Sequence, residues 1–203
     1  LFCLIFGFGQ KKMIFIDAYT AWCGPCKWMV KNIFPNDTVA EFYNKNFINA
    51  KMDMEKGEGV ELSKKYNVTC YPTYLFIDGN GQLVHRGSSS MSAKQFVEMG
   101  MNAMNPAKQF AAYQKKYDSG NMSDDEMGEY VLMRGRSCMS VNDEMPKYFR
   151  TQKDADLSSP RNWSILNECR MYIRADSREF RYLIDHRAEY EKLYTDSTVS
   201  ELI

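Results

Sequence analysis

Met13 to Lys27 reads MIFIDAYTAWCGPCK, and this stretch decides the fold. Met13–Tyr19 is a near-continuous apolar run, as a strand covered on both faces requires. Cys23 to Phe34 then predicts a helix, halted at Pro35. Trp22-Cys23-Gly24-Pro25-Cys26-Lys27 therefore sits where a buried strand turns into a helix. Two thiols three positions apart at a helix start can close a small disulfide ring without moving the backbone. Cys23 would lie at the helix N-terminus, where unpaired N–H groups and the dipole favour a thiolate, the nucleophilic form of the thiol. Cys26, one turn further in and more shielded, suits the resolving role. Pro25 is tolerated in the first turn because its missing N–H would be unpaired there. The competing reading of a bare Cys-x-x-Cys is half a zinc site. That needs a second close pair, and Cys138 and Cys169 are widely separated.

Outward from the motif, Asp17 is the lone ionisable residue of its strand. Burial without a partner raises a carboxyl pKa, and such a group could take the proton from Cys26. The alternative is a structural Asp17 paired to a backbone amide or to Lys51 on the neighbouring strand. Tyr71-Pro72 precedes the apolar run Thr73–Ile77, a place for a strand start or a special turn. Spacing alone favours a trans bond here; a cis bond would free the Tyr71 backbone to pair with an extended substrate.

The rest of the chain falls into two textures. Residues 13 to about 104 alternate short apolar runs with amphipathic stretches, the pattern of βαβ units. Strands are expected at Phe47–Met54, Thr73–Ile77 and Gln82–Arg86, the last two joined by an Asp78-Gly79-Asn80-Gly81 turn. Helices are expected from Asn36, at Val60–Tyr66 and after the capping box Ser92–Gln95. From Pro106 onward no strand is convincing. Helix starts at Ser123, Ser159-Pro160 and Asp176–Glu179, with stripes Ile165/Leu166/Cys169/Tyr172/Ile173 and Phe180/Leu183/Ile184/Tyr194, predict about four helices. Segment 137–157 reads as a short helix in a long loop. The organisation expected is 1–9, 10–105 and 106–203: an apolar leader or first strand, an α/β domain and a helical region.

Leu1–Gly9, LFCLIFGFG, resembles the apolar part of a secretory signal, with a buried first strand as the alternative. If it is a signal, the protein works in an exported, periplasmic setting where disulfides persist; otherwise it is cytoplasmic. The 203 residues carry 26 basic and 26 acidic side chains, net charge zero, and a hydrophobic fraction of 44%. That balance argues against nucleic acid, and no apolar run is long enough for an integral membrane span. His85 and His186 lack the neighbours of a hydrolytic site. Cys3, Cys138 and Cys169 read as bystanders, and Cys70 as a neighbour of the active centre.

WCGPCK, Asp17 six residues before Cys23, Lys51, the proline before a buried strand and Gly87 after the hairpin together resemble the thioredoxin superfamily over residues 10 to 104. The layout is similar to exported bacterial thioredoxin-like proteins with a helical C-terminal extension. Two departures are Tyr19, where thioredoxins usually carry Trp, and the short stretch before the Asp17 strand, in which the family's first strand and helix are expected to be absent or truncated. The resemblance implies a thioredoxin fold, α/β with a central mixed sheet, followed by an all-α region. It implies a cis Pro72 facing Cys23 and Cys26, with Cys23, Cys26 and Asp17 catalytic. Trp22, Gly24, Pro25, Lys27 and Lys51 would support the site, and Tyr71 and Pro72 would contact substrate. It also implies no metal and no cofactor beyond the redox-active Cys23–Cys26 disulfide. The partners would be disulfide-bearing proteins and an upstream thiol electron donor. A Gly-Pro centre resembles the reducing members, so a protein-disulfide reductase is expected. The alternatives are an oxidase or isomerase, or a non-catalytic scaffold whose helical half recruits partners.

Overall fold

The computed structural model describes residues 12–203; the Leu1–Gly9 leader or strand and Cys3 lie outside them. Four strands form one mixed sheet: β1 (Ile14–Tyr19), β2 (Ile48–Asp53), β3 (Thr73–Ile77) and β4 (Leu83–Ser88), in the order β2-β1-β3-β4. β1 runs parallel to β2 and antiparallel to β3, and β3 is antiparallel to β4. This is the α/β arrangement expected from the apolar runs: β3 keeps its expected bounds, and the other strands differ by a residue or two at one or both ends.

The period-two alternation of a strand explains why β1 looks apolar throughout. Phe15 faces one core, with Tyr74 and Phe76 of β3, Met29 of α1 (Gly24–Asn32), Val39 and Tyr43 of α2 (Asp37–Asn46), and Phe96 of α4 (Ala93–Met104). Ile16 and Ala18 face the other, with Leu75, Ile77, Met54, Tyr66 and Val68, flanked by Leu62 of α3 (Glu58–Lys65). The first core is dominated by rings: Phe15 lies edge-on to Tyr43 at 4.9 Å, and Tyr43 stacks on Phe96 at 4.5 Å. The Tyr43 hydroxyl is satisfied inside that core by donating to the Phe96 carbonyl at 2.7 Å. The β3–β4 turn is closed by Asp78, whose carboxylate accepts from the Asn80 and Gln82 N–H groups.

The chain divides into two compact units between Ser119 and Gly120, not at 105/106. The reason is α5 (Phe110–Ser119), which packs against β4. Phe110 is buried, and its N–H donates to Nδ1 of His85 on β4 at 3.1 Å. His85 is thus a buried acceptor, a role its isolation in sequence did not suggest.

The second unit is helical: α6 (Asp124–Arg136), α7 (Glu144–Thr151), α8 (Pro160–Glu168), α9 (Arg178–Asp185), α10 (Arg187–Tyr194) and α11 (Asp196–Leu202). With α5, that is seven helices after residue 105 rather than about four, because several are only two turns long. It carries two apolar clusters of its own. One is built on Val131, Leu132, Met145, Phe149, Ile165 and Leu166, the other on Trp163, Leu183, Tyr190 and Val199. Ile184 departs from its expected stripe and is exposed. Ser177, not Asp176, caps α9 by accepting the Phe180 N–H. Among the described residues no helix is long and apolar enough to cross a membrane.

Candidate active site

β1 delivers the chain into the Thr20–Trp22 turn, closed by the Cys23 N–H donating to the Thr20 carbonyl at 3.2 Å. Cys23 is then the N-cap of α1, in extended backbone geometry, and its Sγ accepts the Cys26 N–H at 3.0 Å. No acidic residue lies in the first turn of α1, so nothing there competes with a sulfur anion for the N–H groups and dipole. Pro25 occupies the first turn, where no backbone donor is needed.

Cys23 and Cys26 are joined as a disulfide with a Cα–Cα separation of 5.3 Å. Both are buried, at 2% and 3% exposure. Cys26 is therefore no more shielded than Cys23 in this state, because the ring draws both sulfurs against the first turn. Around them Trp22, Gly24, Pro25 and Lys27 are exposed, and a Cβ on Gly24 would meet nothing within 4 Å.

Trp22, 67% exposed, is held from two sides. Its Nε1 donates to the Glu55 carboxylate at 2.9 Å, and its ring meets that of Tyr71 edge to face at 5.9 Å. The Tyr71–Pro72 peptide bond is cis, not the trans default that spacing alone favours. Pro72 is buried, and its carbonyl accepts the Ser89 N–H at 3.2 Å. Glu55 was not singled out from the sequence. Its one visible signal is the acid-rich run Met52–Gly59, MDMEKGEG, and the contact spans 33 positions.

Asp17 is 3% exposed, and neither carboxylate oxygen has a hydrogen-bond partner among the described residues. Burial pushes its pKa up to about 6, against a smaller opposing pull from Lys51. Asp17 and Lys51 are opposite one another in the β1–β2 register, yet the Lys51 ammonium lies over the Tyr19 ring, 4.3 Å from its centroid. The structural pairing offered as an alternative for Asp17 is not made. On β3 its register neighbour Tyr74 is buried with an unpartnered hydroxyl, and burial raises the Tyr74 pKa, with the Asp17 charge adding to it. Thr20 Oγ1 is likewise buried without a partner.

Cys70 and Cys138 are each half of a disulfide, so neither is the inert bystander or free neighbour that its sequence position suggested. Cys169 is a buried thiol at the C-cap of α8, its pKa pushed up to about 12 chiefly by burial. Among the described residues no group of three or more His, Cys, Asp or Glu side chains could hold a metal ion.

A family model for a thioredoxin-like domain matches residues 8–103. Through them the chain belongs to the thioredoxin superfamily. Thioredoxin-1 of Drosophila melanogaster is 36% identical over 74 residues, which cover 36% of this chain and 64% of that protein. The thiol:disulfide interchange protein DsbD of Yersinia pestis is 34% identical over 92 residues, 44% of this chain and 16% of that protein. Among solved structures, a candidate disulphide isomerase from Bacteroides thetaiotaomicron is 43% identical, covering 50% of this chain and 84% of that one, with a TM-score of 0.46. The chain thus spans less than two thirds of the length of the Drosophila thioredoxin it matches. The thioredoxin-like match stops before α5, so the helical unit stands outside it.

Proposed function

We propose that this thioredoxin-like chain reduces protein disulfides by a dithiol/disulfide cycle at Cys23 and Cys26. The observation that carries the reading is the Cys23–Cys26 disulfide capping an acid-free helix N-terminus.

In the reduced form the Cys23 thiolate attacks one sulfur of a substrate disulfide. A bond forms between Cys23 and that sulfur, the substrate bond breaks, and the departing thiolate takes a proton. Cys26 then gives its proton to Asp17, whose raised pKa suits it to accept near neutrality, and attacks the Cys23 sulfur. The second substrate thiolate leaves. Two electrons have passed from the dithiol to the substrate, and the protein ends as the disulfide seen here. An upstream thiol protein restores the dithiol, and no other cofactor enters the cycle. The exposed Trp22 and the Tyr71–Pro72 backbone form the ledge on which an extended substrate lies. Gly24, Pro25, Lys27 and Lys51 shape and support that site. The Gly-Pro pair between the cysteines and the apolar Leu1–Gly9 run favour a reductase working in an exported compartment.

Insulin reduction by dithiothreitol, followed as turbidity, tests the reading. Wild-type protein should accelerate it and Cys23→Ser should not; equal rates sink the proposal. Cys26→Ser should trap mixed disulfides with substrates, since the resolving thiol is gone. The reduction potential of the pair separates the alternatives: a value near −270 mV marks a reductase, and one near −120 mV an oxidase.

A further inference from the structure

On the core face of β1, away from the Trp22 ledge, a cavity of about 270 Å³ runs down to Asp17. Its walls are apolar: Phe15, Phe34, Val39, Tyr43 and Phe96 among them, with Asn44, Asn49 and Lys51 also lining it. Asn44, Asn49 and Lys51 are exposed, so the polar lining lies at the solvent side and the rings lie inside. The one deeply buried charged group in the lining is Asp17, and its two oxygens have no hydrogen-bond partner among the described residues. Lys51, the cation closest in register, is engaged with the Tyr19 ring. A buried acceptor left in that condition costs free energy, which any ligand donating to it would recover.

We propose that this cavity is a small-molecule site for a flat aromatic compound carrying one N–H donor, seated with its ring among Phe15, Phe34, Tyr43 and Phe96 and its N–H on the Asp17 carboxylate. Size supports the class. An apolar cavity of about 150 Å³ accepts benzene, so one of 270 Å³ has room for a bicyclic ring. The walls present an aromatic surface, since Phe15, Phe34, Tyr43 and Phe96 all line the cavity and brace one another, Phe15 edge-on to Phe96 at 5.8 Å and Tyr43 stacked on Phe96. Selectivity comes from the single polar anchor. A ring of the same shape without the donor leaves Asp17 desolvated and unpaired, and a ligand with its own carboxylate is repelled by it. The site does not depend on the redox reading, because occupancy is measured whether or not the protein turns over.

The probe is indole, with indene as the equally shaped compound lacking N–H, titrated at neutral pH into the full, oxidised chain. Binding is followed by amide chemical shifts and by calorimetry. Indole should bind saturably, with shifts centred on Phe15, Val39, Tyr43 and Phe96. Indene should bind about tenfold more weakly, the loss expected for one missing hydrogen bond to a buried carboxylate. Ala40→Phe, which places a ring into the lining, should abolish the indole shifts. If that variant misfolds, the indole–indene comparison on wild type still decides. Equal affinity for the two compounds, or no saturable shift at the lining residues up to the solubility of indole, would overturn the proposal. Loss of insulin reduction in the untreated protein would count against the redox reading alone.

Discussion

Asp17 is a carboxyl kept in an apolar strand at a cost, and its chemistry follows from what surrounds it. Desolvation dominates, Lys51 only partly offsets it, and the group titrates near 6. If Asp17 accepts the Cys26 proton, Asp17→Asn should slow resolution of the mixed disulfide by roughly a hundredfold, at the low end for a positioned base. Attack by Cys23 should be unchanged, so stopped-flow separation of the two steps checks the assignment; an equal loss in both would refute it. Cys23, Cys26 and Asp17 were legible because their relation is local, a spacing within one strand–turn–helix segment. Glu55 was not, since its bond to the Trp22 indole is made only when the loop after β2 folds back to the motif. His85 was equally silent: an isolated imidazole gives no sign that its Nδ1 will receive the Phe110 N–H. Trp22→Phe keeps the ring but removes the donor to Glu55. It should leave stability within about 0.5 kcal/mol, as an exposed pair implies, and show its effect as a raised KM for insulin.

At the scale of elements, the strands were readable because burial on both faces leaves a continuous apolar run. The second unit holds more helices than its sequence signals, because several are only two turns long and follow one another directly. Thr195, for example, ends α10 and begins α11 with φ of 76°, a conformation its β-branched side chain does not advertise. Gly59 shows a different kind of constraint, set by close approach. A Cβ there would lie 1.9 Å from the Asp53 carbonyl oxygen, so β2 and the first turn of α3 can meet only through glycine. Gly59→Ala must push that backbone contact apart and should cost about 2 kcal/mol or more by urea unfolding. Gly24→Ala, which meets nothing and has no positive φ, should be close to neutral in the same assay. A cost for Gly24→Ala matching that for Gly59→Ala would show that close approach is not the cause.

For the whole molecule, the zero net charge conceals two buried groups whose proton linkages oppose one another. Asp17 has a folded pKa near 6, raised from 3.8, so the folded state holds a proton that the unfolded chain has lost. Its contribution therefore falls as pH rises from about 4 to 6. His85 has a folded pKa near 4, lowered from 6.5 by burial, so here the unfolded chain holds the extra proton. Its contribution rises with pH over nearly the same window, from about 4 to 6.5. Each shift amounts to about 3 kcal/mol, so the two slopes should cancel and leave the wild type nearly flat where either group alone would tilt it. Removing one group exposes the other. Relative to wild type, Asp17→Asn should gain nothing below pH 4 and about 3 kcal/mol above pH 6. His85→Gln, which retains an acceptor for the Phe110 N–H, should gain in the opposite direction, most at the acid end. Urea unfolding across this range, read on residues 1–119 through the amide signals of β1 and β4, measures both differences. Parallel profiles for wild type and both variants would show that neither carboxyl nor imidazole is held away from its ordinary pKa by the fold.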